Sequence, residues 1–251
     1  MRFNRKLLKR FLQLKEAALV KYSKFHHLDK LIGPNVLVLS PHPDDDVFGC
    51  GGTLVKHIQQ RHHVYVVYLC QGDKGIANKS GVEAAKIRQQ ESSKAATILG
   101  IPKENLFYLA QKDEQLTASK FVLTELNALF AKVKPNIIYL PSFTDHHSDH
   151  FQTNLILKKL LIKNVWVAGY EIWTPHIPNR IVDITTVMDK KLRAIQAHQS
   201  QLVALDYLNA IKGLNQYRAC LYPKRQYEYA ESFILARKKD YFELMNERSD
   251  N

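Results

Sequence analysis

The sequence predicts an α/β fold, a Rossmann-like, mostly parallel sheet with helices on both faces, and three observations carry that prediction. Short β-branched runs alternate with helix-period segments along most of the chain. Gly and Pro punctuate several of the joins between them. Clusters of histidine and carboxylate fall just after two of the runs, where parallel sheets keep their sites, in the crevice beyond the carboxyl ends of the strands. At 251 residues, 45% hydrophobic and 24% charged, the chain has an ordinary globular balance and the length for one large core, which excludes a fibre or a disordered chain.

In chain order, residues 35–40 (NVLVLS) read as the first strand, followed by a Gly-rich turn and a helix at about 53–60. Residues 63–70 (HVYVVYLC) are the second strand and the longest apolar run, which is strand-sized and far short of a membrane span. A loop with Gly72, Gly75 and Gly81 leads to a helix at about 83–99, closed by Gly100 and Pro102. Strands follow at 105–109 and 136–140, with a helix at 120–133 between them and another at about 151–161 beyond a polar loop. Residues 164–173 and 180–184 read as further strands, and the remainder as mostly helical. There is no internal repeat and no low-complexity linker.

Residues 1–30 are expected to form a basic amphipathic helix, and residues 31–251 a single catalytic domain. The net charge of the whole chain is +12, and residues 1–30 hold nine Lys/Arg against Glu16 and Asp29. Phe3, Leu7, Phe11, Leu14 and Ala18 recur at helical spacing among those charges. Two readings are open: peripheral contact with an anionic membrane surface, or a solvated helix that packs its apolar stripe on the domain. Nucleic acid is not expected as a partner, since no aromatic–basic RNA motif or zinc-finger spacing occurs. Charges interrupt the N-terminal apolar stretch and no small-residue cleavage site follows, so the chain reads as unprocessed. Cys50, Cys70 and Cys220 are odd in number and far apart, which argues against a disulfide framework and for the cytoplasm.

The two loaded strand ends read Ser40-Pro-His-Pro-Asp-Asp-Asp-Val-Phe-Gly-Cys-Gly-Gly52 and Pro141-Ser-Phe-Thr-Asp-His-His-Ser-Asp-His150. A catalytic zinc takes three protein ligands and keeps one position open for water. His42 and Asp45, three apart on one rigid turn, can supply two ligands and leave Asp44 pointing elsewhere. The second loop offers His146, His147, Asp149 and His150, and one of its histidines would complete two imidazoles and a carboxylate. Helix N-capping accounts for one of Asp44, Asp45 and Asp46, but not for three acids in a row beside a histidine.

The run His42-Pro-Asp-Asp45 after a hydrophobic strand, with a distal His147-x-Asp-His150, resembles the PIG-L/LmbE-like family of zinc-dependent de-N-acetylases. Arg88-x-x-Glu91-x-x-x-Ala95-x-x-x-Leu99-Gly100, His198-x-Ser-Gln201 and Tyr229-Ala-Glu231-x-Phe233 extend the likeness from about Val36 to Phe233. The resemblance implies an LmbE-like fold in which His42, Asp45 and His150 hold Zn2+, with Fe2+ as the alternative. It implies that Asp44 is the general base, and that His147 stabilises the oxyanion and protonates the leaving amine. Asp149 would orient a histidine from behind. Asp73, Arg88 and Asp113 fall where the family binds sugar hydroxyls, although an ordinary ion pair would account for each equally well.

The implied activity is removal of the acetyl group from an N-acetylated sugar, free or on an anionic or lipid-linked aglycone. A catalytically degenerate sugar-binding protein and an amidohydrolase acting on a non-sugar amide are the alternatives. Two departures stand out: the third acid of the first motif, commonly Glu, is Asp46, and the Pro usual in the second is Ser148. No GxSxG elbow is present, and neither Cys50 nor Cys70 carries a nucleophile motif. His198 either lines the pocket or packs beneath it.

Overall fold

The structure, a computed structural model, describes residues 26–28, 30–220 and 226–249. Eight strands form one sheet: β1 (His26–His27), β2 (Asn35–Ser40), β3 (His63–Cys70), β4 (Leu106–Gln111), β5 (Ile137–Pro141), β6 (Trp166–Tyr170), β7 (Arg180–Asp183) and β8 (Ala230–Arg237). Their order is β1-β7-β8-β6-β5-β2-β3-β4. All pairings are parallel except those of β8, which lies antiparallel to β6 and to β7. The chain runs outward from β2 to β3 and β4, then returns to lay β5 on the other side of β2. That reversal leaves a crevice between the carboxyl ends of β2 and β5, where both loaded loops begin.

Period-two alternation gives each central strand to two cores. Val36 and Val38 face one side and Leu37 and Leu39 the other; Ile137 and Tyr139, with Ile138 and Leu140, repeat the pattern on β5. Helices α1 (Asp45–Gln59), α2 (Gly81–Leu99) and α5 (Met188–Gln196) cover the first side, and α3 (Lys120–Val133), α4 (Ser148–Lys159) and α8 (Lys238–Ser249) the second. Two further helices, α6 (Gln199–Leu202) and α7 (Tyr207–Cys220), complete the first layer. A Ser80–Glu83 capping box starts α2 and left-handed Gly100 ends it.

The strands expected at 35–40 and 63–70 and the helix at 120–133 occur with those bounds. Helix α1 begins at Asp45, well before the expected 53, so the Gly-rich segment is helix and not turn. Its glycines are there for contact: a Cβ on Gly49 would lie 2.1 Å from Tyr170 Cδ2, and one on Gly52 2.7 Å from Ile184 Cγ2. The helix bends at Cys50 (φ −140°), and Glu231 caps the second half by accepting the N–H groups of Gly52 and Thr53 at 2.8 and 2.7 Å. Residues 230–237, expected to be helical, are β8. The N-terminal helix falls outside the described residues over 1–25, and at 26–27 the chain is already extended beside β7. Among the described residues no helix is long and apolar enough to cross a membrane.

Candidate metal centre

The turn after β2 is held by Ser40, whose hydroxyl donates to the His42 carbonyl (2.7 Å) and accepts the Asp46 N–H (3.1 Å). This folds His42 back over the start of α1, where its own N–H donates to Asp45 Oδ2 at 2.9 Å. His42 Nδ1 lies 3.1 Å from that oxygen, and His150 Nε2, from the first turn of α4, lies 3.2 Å from it. All three residues are buried. Bonds of about 2.0–2.1 Å around a tetrahedral ion would set ligand atoms roughly 3.3 Å apart, so the observed separations fit such a centre. Neither ring nitrogen of His150 completes a hydrogen bond, a costly state for buried polar atoms that a bound cation would relieve.

Behind each histidine stands a carboxylate. His42 Nε2 lies 3.1 Å from Asp149 Oδ2, and His150 Nδ1 lies 3.3 Å from Asp145 Oδ1. Asp149 Oδ2 also accepts the N–H of Glu114, a residue held at φ +62°. Burial opposes charging of both rings, yet the carboxylates outweigh it. Asp149 and Asp45 raise His42 to about 10, and Asp45 and Asp145 raise His150 to about 9. Burial likewise opposes the charge on Asp45, but His150 and His42 hold its carboxyl well below the usual range. The cluster is thus an excess of carboxylate that calls for positive charge. A second group, His42, Cys70 and Asp149, is close enough to share an ion, but burial and then Asp149 push the Cys70 thiol up, and a protonated thiol is a poor ligand.

Asp44, beside the trio, pairs with Arg88 Nη2 at 2.8 Å, both side chains buried. Burial raises the Asp44 pKa, and Arg88 pulls against it. The guanidinium passes so close to the loop after β3 that a Cβ on Gly75 would sit 2.4 Å from Nη1. His147 caps α4, its Nδ1 accepting the Asp149 N–H at 3.2 Å, which places its ring proton on Nε2. Burial, then His150 and His42, lower its pKa.

These groups open onto a cavity of about 190 Å³ whose walls include Arg88 and Asp113. Asp113 also ties the loop after β3, accepting the N–H groups of Gly72 (2.8 Å) and Lys74 (3.0 Å). Asp73 is absent from the cavity lining; its Oδ1 accepts the Asp113 N–H at 2.9 Å, so it braces the wall. His146 turns to Thr174 (2.9 Å), leaving His150 as the histidine that joins His42 and Asp45. His198 packs: it is buried edge-on against Phe48, and burial lowers it to about 3. Sequence reasoning missed Asp145, although it stands inside the second motif, and Trp173, although it follows the carboxyl end of β6. It also missed Lys74, Glu114 and Tyr207, which line the cavity with no local signal.

A family model described as GlcNAc-PI de-N-acetylase, PIG-L, matches residues 37–161. The diacetylchitobiose deacetylase of Thermococcus kodakarensis is 30% identical over 189 residues, 66% of this chain and 69% of that protein. The solved structure of N,N'-diacetylchitobiose deacetylase from Pyrococcus horikoshii superposes with a TM-score of 0.73 at 27% identity, covering 83% of this chain and 85% of that one. A 4-oxalmesaconate hydratase from Pseudomonas putida is 28% identical over 203 residues, 70% of this chain and 78% of that protein.

Proposed function

The chain belongs to the PIG-L (LmbE-like) family of de-N-acetylases, and from that premise we propose that it is a zinc-dependent hydrolase removing the acetyl group from an N-acetylglucosamine-type sugar. The observation that supports this most is the convergence of His42, Asp45 and His150 from two loops, with Asp44 and His147 beside them at the base of one cavity.

His42, Asp45 and His150 would hold the ion, which when bound polarises the acetyl carbonyl and lowers the pKa of water towards about 7. Asp44 takes a proton from the attacking water as its oxygen bonds to the acyl carbon. Burial makes this carboxylate a stronger base than an exposed aspartate, and the Arg88 guanidinium opposes part of that rise. His147 presents Nε2–H to the developing oxyanion, a contribution of about 3–4 kcal/mol for a well-placed donor. The C–N bond then breaks and Asp44 returns its proton to the leaving amine, giving acetate and the free amino sugar. The family resemblance gives that last transfer to His147; we assign it to Asp44, which holds the proton just taken from the attacking water. Arg88 and Asp113, which line the cavity, would meet the sugar hydroxyls.

The likeness to a hydratase keeps one other reading alive, activation of water for addition to a carbon–carbon double bond. Acetate release from a panel of N-acetylated sugars by metal-replete protein separates the two. Asp44→Asn is expected to abolish release while retaining stoichiometric metal, and His42→Ala to lose the metal. A metal-free Asp44→Asn protein contradicts this division of roles, and no acetate from any member of the panel sinks the sugar deacetylase.

A further inference from the structure

A second concavity, of about 680 Å³, lies between the outer face of α2 and the edge strand β4. That volume is within the roughly 300–1,000 Å³ of small-molecule sites, and no lining residue is shared with the cavity at the metal centre. Helix and strand periods build it together. Lys86, Gln90, Ser93, Lys94 and Thr97 recur three or four apart, so they share one face of α2, roughly 16 Å long. Leu106 and Tyr108, two apart on β4, face the same side of the sheet and form the floor with Ile98, all three packed inward on the core.

The charge around this floor has one sign. Lys86 and Lys94 reach it from the helix and Lys103 from the turn before β4, and no carboxylate lines it. None of the three ammonium groups has a hydrogen bond or an ion pair among the described residues. Glu83, one turn from Lys86, is turned to Ser80 and accepts its N–H and hydroxyl at 3.1 and 3.0 Å. Unpaired like charges gathered around one concavity repel each other and attract an anion. Tyr108 stacks on Tyr68 at 5.0 Å between centroids, and its hydroxyl is hydrogen-bonded to Ser92 Oγ at 3.1 Å. The ring is therefore fixed before any ligand arrives.

We propose that this groove is a binding site for a nucleoside diphosphate, separate from the metal centre and independent of the reading given to it. A planar base covers the apolar floor of Ile98, Leu106 and Tyr108. The amides of Gln89 and Gln90 and the hydroxyl of Thr97 supply donors and acceptors to its edge or to the ribose, and the diphosphate neutralises the three ammonium groups. Inorganic phosphate would leave the floor wet. An alkyl phosphate would cover the floor but strip water from the amides without replacing it.

Calorimetry on the full chain tests this with four probes: ADP, adenosine, pyrophosphate and octyl phosphate. ADP is expected to bind roughly tenfold or more tightly than any of the other three, because only it meets floor, amides and ammonium groups at once. Lys94→Glu and Lys86→Glu, both at exposed positions, should each weaken ADP about tenfold. Lys163→Glu, the same charge change at an exposed position elsewhere, and Lys74→Ala, at the cavity of the metal centre, should leave it within about twofold. Pyrophosphate as tight as ADP would make the groove a plain phosphate patch, and octyl phosphate as tight would make it a groove for amphiphiles. An equal loss from Lys163→Glu would reduce the effect to net charge, and a loss from Lys74→Ala would move the nucleotide to the metal centre. Each of these results, or no binding of ADP, overturns the proposal.

Discussion

Removing the Asp149 carboxylate tests the proposed metal centre without touching a proposed ligand. The side chain is buried, and its Oδ2 serves two partners, His42 Nε2 at 3.1 Å and the Glu114 N–H at 2.8 Å. In Asp149→Ala the imidazole of His42 loses the group that fixes its orientation and tautomer and that makes Nδ1 a better donor. Losses of this kind lower metal affinity by about 10- to 100-fold, or roughly 1.4–2.7 kcal/mol. The stranded Glu114 N–H adds about 1–3 kcal/mol of destabilisation, because a buried donor loses its acceptor. Asp149→Asn keeps an acceptor for one partner and loses the charge, so it should fall between the parent and Asp149→Ala. The assay is competition against a chelator of known affinity at pH 7.5, with thermal melts of metal-free proteins as the control for folding. A folded Asp149→Ala protein that binds zinc within twofold of the parent would refute the role of this carboxylate.

Four other outcomes follow from the same geometry. Metal uptake at pH 7 should release about two protons, because His42 and His150 are raised to about 10 and 9 in the metal-free protein and the ion must displace both; calorimetry in buffers of different ionisation enthalpy counts them, and a count near zero contradicts the shifts. By the same sign, those two histidines stabilise the metal-free fold fully below about pH 6.5, and that contribution is lost as pH rises through about 9 and 10, so its melting temperature should fall on the alkaline side. Arg88→Ala removes the cation that pulls the Asp44 pKa down, so the acid limb of kcat/KM should move to higher pH; an unmoved limb means that another group sets it. Gly49→Ala drives a methyl group to 2.1 Å from Tyr170 and should cost about 1–3 kcal/mol, a melting temperature lower by roughly 2–10 °C, whereas an unchanged melt would deny the close approach.

The strands at 35–40 and 63–70 were legible because each is buried on both faces, so the apolar run itself marks its extent. The start of α1 was not, because Gly49, Gly51 and Gly52 carry the usual signal of a turn. In this fold two of them serve close approach to Tyr170 and Ile184, a tertiary demand that no local pattern records. Strand β8 was hidden for a related reason. Its sequence, AESFILAR, contains Ala, Glu, Leu and Arg, all good helix formers, and insertion between β6 and β7 overrides them. In the site, His42 and Asp45 could be named because they share one turn of chain, whereas spacing left the histidine of the second motif open and the family resemblance supplied His150. The Glu114 N–H, Trp173 and Tyr207 come from other loops, and spacing says nothing about which loops face one another.

Asp145 shows what that distinction costs, and it yields the sharpest joint test of the centre and its cavity wall. One oxygen faces His150 Nδ1 and accepts the His147 N–H at 3.0 Å; the other accepts the N–H of Trp173. The carboxylate therefore connects a proposed metal ligand, the proposed oxyanion donor and Trp173 in the cavity wall. Asp145→Ala should lower zinc affinity about tenfold and, in protein saturated with zinc, still raise the disaccharide KM more than the monosaccharide KM. Asp149→Ala, likewise removing a carboxylate beside a proposed metal-binding histidine but one with no bond to the 171–179 loop, should lower zinc affinity and leave that KM ratio alone. If both variants shift the ratio alike, the cavity wall responds to the metal centre in general and the Asp145–Trp173 bond has no separate role.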